Sequence, residues 1–482
     1  MKEKAANTMN GNSCLWDNDF WSFIIVLAVI FGAILIAGIM RRNIKFIDRS
    51  HIPESVIAGF LVLAAGGVWK AITGDPMIEP HILEELTYHG LGLGVVALSL
   101  RTLKKDSTHS KKDIFNTSVT VVSTYLIQGI AGLIVTIALF YIFNTFAAAG
   151  ILLPMGFGQG PGQAYVWGKN FTELGFENGV SYGLSIAAIG FIVACLGGIF
   201  FLRHFIGKKG IDPNEYVKKA LCGNEKEPSA EGKERSSNSA ESLTVQLALV
   251  FVSYGLGYLI MYIIHRLCSG IPFYDNTVCS VMWGLNFLVG TVIALLIRSL
   301  LSFLFEKGYT KQTYIDNAML NRISGTMFDL MVTASIAVIN LEAFLHKEFI
   351  LSLILVSVIG TVVTFVYVKK VCEKLFSGYK DEAFLSLYGM LTGTVSTGMI
   401  LLREIDPTFS TPAANNLVFQ NLWAILMGFP MFFLMGYVGT SIKATFITLG
   451  ILVLLFALMS VIMFRDKLKN RKKCFVLCKR DK

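Results

Sequence analysis

Apolar segments of about 20 residues recur along almost the whole chain, and this is the length that a helix needs to cross the core of a bilayer. We identify eleven such spans: 20–40, 53–72, 82–100, 114–143, 178–206, 243–265, 278–304, 318–345, 349–371, 414–440 and 444–464. Only 16% of the residues are charged, against about 25% in soluble domains. The sequence therefore predicts an all-α polytopic membrane protein.

Lys and Arg are divided unevenly between the connections of these spans. Every second connection, taken together with the C-terminal tail, holds 35 of the 42 Lys and Arg residues. Basic loops stay on the cytoplasmic side because they resist translocation. The alternation predicts a cell-membrane protein with its N-terminus outside and its C-terminus in the cytoplasm. It also explains the net charge of +9 without a nucleic-acid partner, which would need a continuous basic face.

Two further apolar stretches, 147–168 and 382–402, contain residues that interrupt helices. The first includes the run GFGQGPGQAY, and the second is rich in Thr and Ser. If either stretch crossed the membrane, every later connection would change sides and the charge alternation would fail. We therefore interpret both as re-entrant hairpins, which are tolerated at membrane depth where protein or a water-filled cavity surrounds them.

The hairpins divide ten of the spans into two groups of five, and they enter from opposite sides. Because five is an odd number, the second group must be inverted relative to the first. The predicted organisation is an external segment 1–19, a first repeat 20–206, a cytoplasmic linker 207–242, an inverted repeat 243–440, and an extra helix with a basic tail 441–482. Inverted repeats that each contain a broken element are typical of secondary transporters.

The hairpin tips are the predicted binding site, because an interrupted helix exposes backbone N–H and C=O groups. Helix N-termini attract anions, whereas carbonyl and hydroxyl oxygens suit a hard cation such as sodium. The predicted substrate-binding residues of the tips are Gly158, Gln159, Gly160, Gly162, Gln163, Gly393 and Thr394. The predicted sodium ligands are Thr394, Ser396 and Thr397. Close helix packing through small residues is the structural alternative.

Three polar residues outside the tips are further candidates. Asp329 lies in the middle of a span, where a carboxylate costs about 2.5–3.5 kcal/mol, so we interpret it as a sodium or proton ligand, or as part of a salt bridge or water-filled interface. Arg403 can pair with a substrate carboxylate or anchor the hairpin at the cytoplasmic surface. Asn416 shares a helix face with Gln420, and it lines a polar pathway or joins helices.

Other chemistries have little support in the sequence. No paired catalytic Asp motif and no HExxH occurs in the spans, so no enzyme and no cofactor other than the coupling ion is predicted. A passive channel is distinguished by flux that neither saturates nor depends on sodium. Cys268 and Cys279 flank a predicted external loop, either as free thiols or as a disulfide.

Three runs of residues resemble the bacterial sodium/glutamate symporter family. They are IPESVIAGFLV at 52–62, LSLRT at 98–102 and GQGPGQAYVWGKNFTELGF at 158–176. The resemblance extends over most of 20–440, and the family's Gly-x-Gly-x-Gly-x-Ala pattern falls on Gly158, Gly160, Gly162 and Ala164. It implies ten core spans, two Gly-rich hairpins, and sodium-coupled uptake of acidic amino acids by a homodimer through an elevator-like displacement of one domain.

The chain departs from this family at the tip of the first hairpin. Gln159 stands where a His is familiar, and Pro161 stands where a Thr is familiar. The second hairpin is richer in Thr, and the eleventh span is an addition. The same fold carrying another organic anion, such as a hydroxycarboxylate or a dicarboxylate, is therefore an alternative, and so is coupling to protons.

Overall fold

The computed structural model describes residues 18–102, 111–209, 239–271, 274–309, 314–406 and 411–480. Within these ranges the chain is helical, with short connections and no strand. The predicted linker 207–242 falls mostly outside the described residues, and so does almost all of the predicted external segment 1–19.

The helices of the first half of the chain are α1 Asn18–Asn43, α2 Lys45–Ser50, α3 Glu54–Thr73, α4 Pro80–Leu100, α5 Lys111–Phe143, α6 Leu152–Phe157, α7 Pro161–Glu173 and α8 Gly179–Lys209. Those of the second half are α9 Ser239–Cys268, α10 Cys279–Gly284, α11 Asn286–Glu306, α12 Asn317–Ala337, α13 Lys347–Leu375, α14 Lys380–Thr392, α15 Val395–Arg403, α16 Ala413–Phe419, α17 Asn421–Val438 and α18 Ile442–Arg480. Short 3-10 helices at Ala147–Ile151 and Leu341–Leu345 and a π-helical turn at Tyr274–Val278 connect some of them.

Eight of the described helices are long and apolar enough to cross a membrane, namely α1, α3, α5, α8, α9, α11, α13 and α18. In α1, α3, α9, α11 and α18 only 17–22% of the most apolar window is buried within the protein. So large an uncovered apolar surface is compatible with lipid and not with water. The prediction of an all-α fold is confirmed for the described residues, and their eight long apolar helices are compatible with a polytopic membrane protein.

The eleven predicted spans all coincide with helices, but three of them are not continuous. The predicted span 318–345 ends as an α-helix at Ala337, because the Asn340 side chain accepts a hydrogen bond from the backbone N–H of Glu342 and starts a separate 3-10 helix. The span 278–304 is interrupted at Leu285, and the span 414–440 at Gln420. The prediction that each of these three spans is one continuous helix was wrong.

The helices form two groups that differ in what they pack against. The first, which we call the flanking group, consists of α1, α3, α4, α9, α11 and α12. One apolar cluster joins α1, α3, α4 and α12 and includes Ile30, Ala58 and Ala334; another joins α4, α9, α11 and α12 and includes Val96 and Val250. The helices α4 and α12 belong to both clusters and therefore form the centre of this group.

The second group, which we call the hairpin group, consists of α5–α8 and α13–α18. Its two central helices, α5 and α13, pack against each other, and α8 packs against α6, α7 and α14. The added helix α18 packs against α5 and α17, so it belongs to this group. Most of the largest apolar cluster in the described chain lies here. Both glycine- and threonine-rich stretches are therefore held in one packed unit.

Candidate functional site

The helices α6 and α7 form the first hairpin. Phe146, which precedes it, stacks on Phe176, which follows it, with ring centroids 5.0 Å apart and planes at 3°. The chain therefore enters and leaves this hairpin at one place. At the tip, Gly160 adopts φ 84° and ψ −178°, a region that essentially only glycine populates. Pro161 then occupies the first helical position of α7, where its missing N–H is not needed.

The helices α14 and α15 form the second hairpin, with Gly393 between them. The Thr394 side chain caps α15 by accepting a hydrogen bond from the backbone N–H of Thr397, at 3.5 Å. The hydroxyl oxygens of Thr394 and Thr397 lie 3.3 Å apart. At the open end, Tyr379 and Leu402 share an apolar cluster, so this hairpin also starts and ends at one place.

Both tips are attached to the middle of α5. The Tyr125 hydroxyl donates to the backbone carbonyl oxygen of Gly158 at 3.1 Å, which holds the first tip. The Gln128 amide donates through Nε2 to the carbonyl oxygen of Leu391 at 3.0 Å, which holds the second tip, and to the Thr364 hydroxyl at 2.8 Å. Because residues three apart share a helix face, one surface of α5 holds both tips.

The open ends of the two hairpins lie toward opposite ends of α5. The Thr136 hydroxyl, in the later part of α5, donates to the carbonyl oxygen of Ala147 at 2.7 Å, where the first hairpin begins. Asp113, in the first turn of α5, lies within hydrogen-bonding range of Tyr379, where the second hairpin begins. The hairpins therefore point toward each other.

The tips are in contact where they meet. A Cβ atom at Gly160 would lie 3.5 Å from Cγ2 of Thr394. The N-termini of α7 and α15 are thus brought together, and the backbone N–H groups of a first helical turn have no acceptor within their own helix. Two converging helix N-termini create a positive potential that favours an anion. The ends of α6 and α14, by contrast, present carbonyl oxygens.

The predicted residues of the first tip fall into two kinds. Gln159 is partly exposed, and its amide makes no hydrogen bond to any described residue, so it is open to a ligand. Gln163 is buried; its Nε2 donates to the carbonyl oxygen of Gly284 at 3.3 Å, and its Oε1 accepts from the Trp167 indole at 3.1 Å. Gln163 therefore joins the first hairpin to the end of α10. Gly158 and Gly162 pack against the side chains of Tyr125 and Leu91, respectively.

Two predicted residues lie at the base of the second hairpin and not at its tip. Asn416 donates to the Tyr379 hydroxyl at 2.8 Å, so it joins α16 to the start of α14, the second of its predicted roles. Arg403 is the exposed last residue of α15, and the nine residues of this helix place it about 13 Å from the second tip. A polar residue that is close to a hairpin in the sequence can therefore lie at the base of that hairpin, away from its tip.

Asp329 belongs to the flanking group. Its polar neighbours are Ser55 and Glu54 at the start of α3, and not the hydroxyls of Thr394, Ser396 and Thr397. Of those three residues, Ser396 is exposed, Thr394 is partly exposed and Thr397 is buried. The predicted sodium ligands therefore lie in two places, on opposite sides of the boundary between the groups.

Asp329 is one member of an exposed polar face of α12. Arg322, Gly325 and Thr326 share this face at helical spacing, and all three are exposed. Charged side chains of a membrane helix face a water-filled cavity or protein and not lipid. This face of α12 is therefore not expected to contact lipid.

One ion pair connects the two groups and was not predicted. Glu84 of α4 accepts at Oε2 from Lys169 Nζ at 2.7 Å and from the Tyr165 hydroxyl at 2.9 Å, both on α7. This pair lines a cavity of about 840 Å³ between α3, α4, α7 and α8. At the other end of the molecule, His51 Nδ1 lies 3.7 Å from Glu404 Oε1, just beyond α15. Polar contacts therefore cross the boundary on both sides of the tips.

The chemistry available at the tips is that of neutral oxygen and N–H groups. Among the described residues, no group of three or more His, Cys, Asp or Glu side chains is arranged to hold a metal ion, and Cys268 and Cys279 are free thiols. A bound cation would rely on hydroxyl, amide and carbonyl oxygens, which is the ligand set of a hard cation.

Comparison of the chain with models of known protein families and with curated proteins finds no match.

Proposed function

We propose that the protein is a secondary active transporter that imports a small carboxylate-bearing solute, similar to glutamate, together with sodium. The observation that carries the proposal is the meeting of two broken hairpins, which point toward each other along α5 and bring the N-termini of α7 and α15 into contact. Discontinuous helices whose N-termini face an anionic group at mid-membrane are a recurring substrate site of secondary transporters.

In this proposal the two ends of the broken helices have different tasks. The substrate carboxylate accepts hydrogen bonds from backbone N–H groups in the first turns of α7 and α15, while Gln159 offers an amide to the rest of the solute. Sodium binds oxygen atoms at the second tip, where the hydroxyls of Thr394 and Thr397 lie 3.3 Å apart. Ser396 is a further oxygen ligand at this tip, and Asp329 of the flanking group is a separate candidate ligand.

The packing of the helices supports an inverted repeat, which we include in the proposal. In each predicted repeat the first and second spans pack together, as α1 on α3 and as α9 on α11. The second span of each repeat packs against the third span of the other, through Gly59 on Ile336 and through Gly290 on Val96. The third spans pack on each other, and so do the fourth. A two-fold axis in the membrane plane produces such pairing, with the two hairpins re-entrant from opposite sides.

The division into two groups supports an elevator-like displacement. Both tips, both central helices and α18 lie in the hairpin group, so this group can carry the site as one body past the flanking group. The resemblance of Gly158, Gly160, Gly162 and Ala164 to the bacterial sodium/glutamate symporter pattern supports the same assignment. Gln159 and Pro161 stand where that family has His and Thr. Because these two tip residues differ, a hydroxycarboxylate or a dicarboxylate is the second candidate substrate.

Uptake into proteoliposomes tests the proposal. We expect labelled glutamate to accumulate when sodium is high outside, and to equilibrate without accumulation when potassium replaces sodium. A panel of unlabelled amino acids, dicarboxylates and hydroxycarboxylates added in excess identifies the solute by competition. Uptake that saturates but ignores the sodium gradient would contradict sodium coupling, and no saturable uptake of any acid in the panel would contradict transport of a carboxylate.

The ion pair between Glu84 and Lys169 provides a separate test of the displacement. Lys169→Gln removes a contact between the two groups worth about 1 kcal/mol, which shifts a two-state population roughly fivefold. We expect the initial uptake rate to change by a similar factor. Lys70→Gln is the matched control, because Lys70 pairs with Glu342 at 2.7 Å in the same cavity but joins α3 to the turn after α12. Equal effects of both variants would argue against displacement at this boundary.

A further inference from the structure

Gln128 is a fully buried amide that contacts the second tip, and one of its atoms has no hydrogen-bond partner. The side chain has no exposed surface, and Oε1 accepts no hydrogen bond. Its Nε2 donates to Thr364 and to the carbonyl of Leu391. This orientation of the amide is required, because rotating it by 180° would place Oε1 against the Leu391 carbonyl, which can only accept. The unpartnered atom is therefore an oxygen.

Buried acceptors without a donor are rare in folded proteins, and each calls for an explanation. Both groups that the Gln128 amide contacts through Nε2 present oxygen atoms. Leu391 is the next-to-last residue of α14, so its carbonyl has no N–H partner in its own helix, and the C-terminal end of a helix carries a partial negative charge. The Thr364 hydroxyl oxygen lies 2.8 Å from the same amide group.

This environment matches a hard cation better than it matches any donor side chain of the protein. Carbonyl, hydroxyl and amide oxygens are the ligands that such ions take, and a helix C-terminus favours positive charge. We propose that Oε1 of Gln128 is a ligand of the coupling sodium ion, which binds between α5, α13 and the C-terminal end of α14. The inference rests on the proposed function and names a sodium ligand for it that lies outside the hairpins.

A site at Gln128 connects sodium to both tips. The same amide holds the second tip through Leu391, and Tyr125, one turn earlier on α5, holds the first tip through Gly158. Binding an ion at Oε1 fixes the Gln128 side chain and with it the end of α14. Sodium then orders the helix ends that bind the substrate, which is the physical requirement for coupling the two ligands.

The test measures sodium binding and not transport. Thermal unfolding of the purified protein is followed as NaCl increases, with choline chloride holding the ionic strength constant. We expect sodium to raise the unfolding temperature of the unmodified protein. In Gln128→Leu we expect the sodium concentration at half-effect to rise by at least about tenfold, as is usual when a metal site loses a supporting group.

Gln246→Leu is the matched control. Gln246 is also buried, but both ends of its amide are bonded, because Nε2 donates to the Tyr314 carbonyl at 2.7 Å and Oε1 accepts from the Asp316 N–H at 3.2 Å. This variant should be less stable and should keep its response to sodium. Gln128→Asn keeps the amide but shortens the side chain by one methylene group, which withdraws its oxygen from the proposed ion, so it should weaken the sodium response, and it carries the test if Gln128→Leu does not fold.

Two results would overturn the inference. One is a protein whose unfolding temperature does not depend on sodium. The other is a half-effect concentration of sodium that stays unchanged in Gln128→Leu and in Gln128→Asn, which would mean that water satisfies Oε1. Because no solute is present, a sodium response lost only in the Gln128 variants would support the site even if glutamate and the other acids were not transported. The failure of this inference and that of the proposed function are therefore distinguishable.

Discussion

Gly160→Leu is expected to abolish uptake while the protein still folds. The backbone at Gly160 has φ 84° and ψ −178°, which a residue with a side chain adopts only with strain. The new Cβ would also point at Cγ2 of Thr394, 3.5 Å away, so the rest of the leucine side chain would separate the two tips. Uptake into proteoliposomes measures the effect, and size-exclusion chromatography checks that the protein folds.

Gly255→Leu is the control for this prediction. Gly255 lies on α9, is exposed, and has no atom near the position of a new Cβ. The added side chain should enter lipid, and uptake should not change. Full uptake in Gly160→Leu would show that the meeting of the tips is not the site of transport.

Gly150→Leu is expected to prevent folding. The backbones of Gly150 and Gly132 are in contact, so a Cβ atom on either residue would overlap the backbone of the other. The contact holds the beginning of the first hairpin against α5, where the Thr136 hydroxyl accepts from the Gly150 N–H at 3.1 Å and donates to Ala147. Overpacking a core costs about 1–3 kcal/mol or more, and the loss of these hydrogen bonds adds to it.

The measurement is the yield of monodisperse protein after extraction in detergent, which should fall close to zero. Gly450→Leu is the control, because Gly450 is exposed on α18 with no neighbour near a new Cβ. A normal yield of Gly150→Leu would mean that the first hairpin is not held against α5 by this backbone contact.

The sequence predicted both hairpins because their breaks are local. The closely spaced glycines next to Pro161 interrupt the helix locally, so the first tip lies within 147–168 as expected, and the second tip at Gly393 lies within 382–402. The eight long apolar helices were also predictable, because length and apolar composition, which decide whether a segment can cross a membrane, are read directly from the sequence. The early end of α12 depends on one capping side chain, Asn340, inside an otherwise apolar run.

The partners of the tips were not predictable from the sequence. Tyr125 and Gln128 are two polar residues in a long apolar span, and only tertiary structure brings Gly158 and Leu391 to them. Glu84 and Lys169 are likewise 85 residues apart in the chain. We predicted Asn416 near the tip because four amides follow the second hairpin in sequence. In the structure Asn416 instead donates to the Tyr379 hydroxyl at the base of that hairpin.

The attachment of both tips to α5 has a consequence for how the site opens. The two anchoring side chains are three residues apart, which corresponds to about 4.5 Å along the helix axis. Neither tip can slide along α5 by more than a fraction of that length without breaking its hydrogen bond. In the displacement that we propose, the site would therefore keep a constant shape, and access would be controlled at the surfaces around the site and not between its two tips.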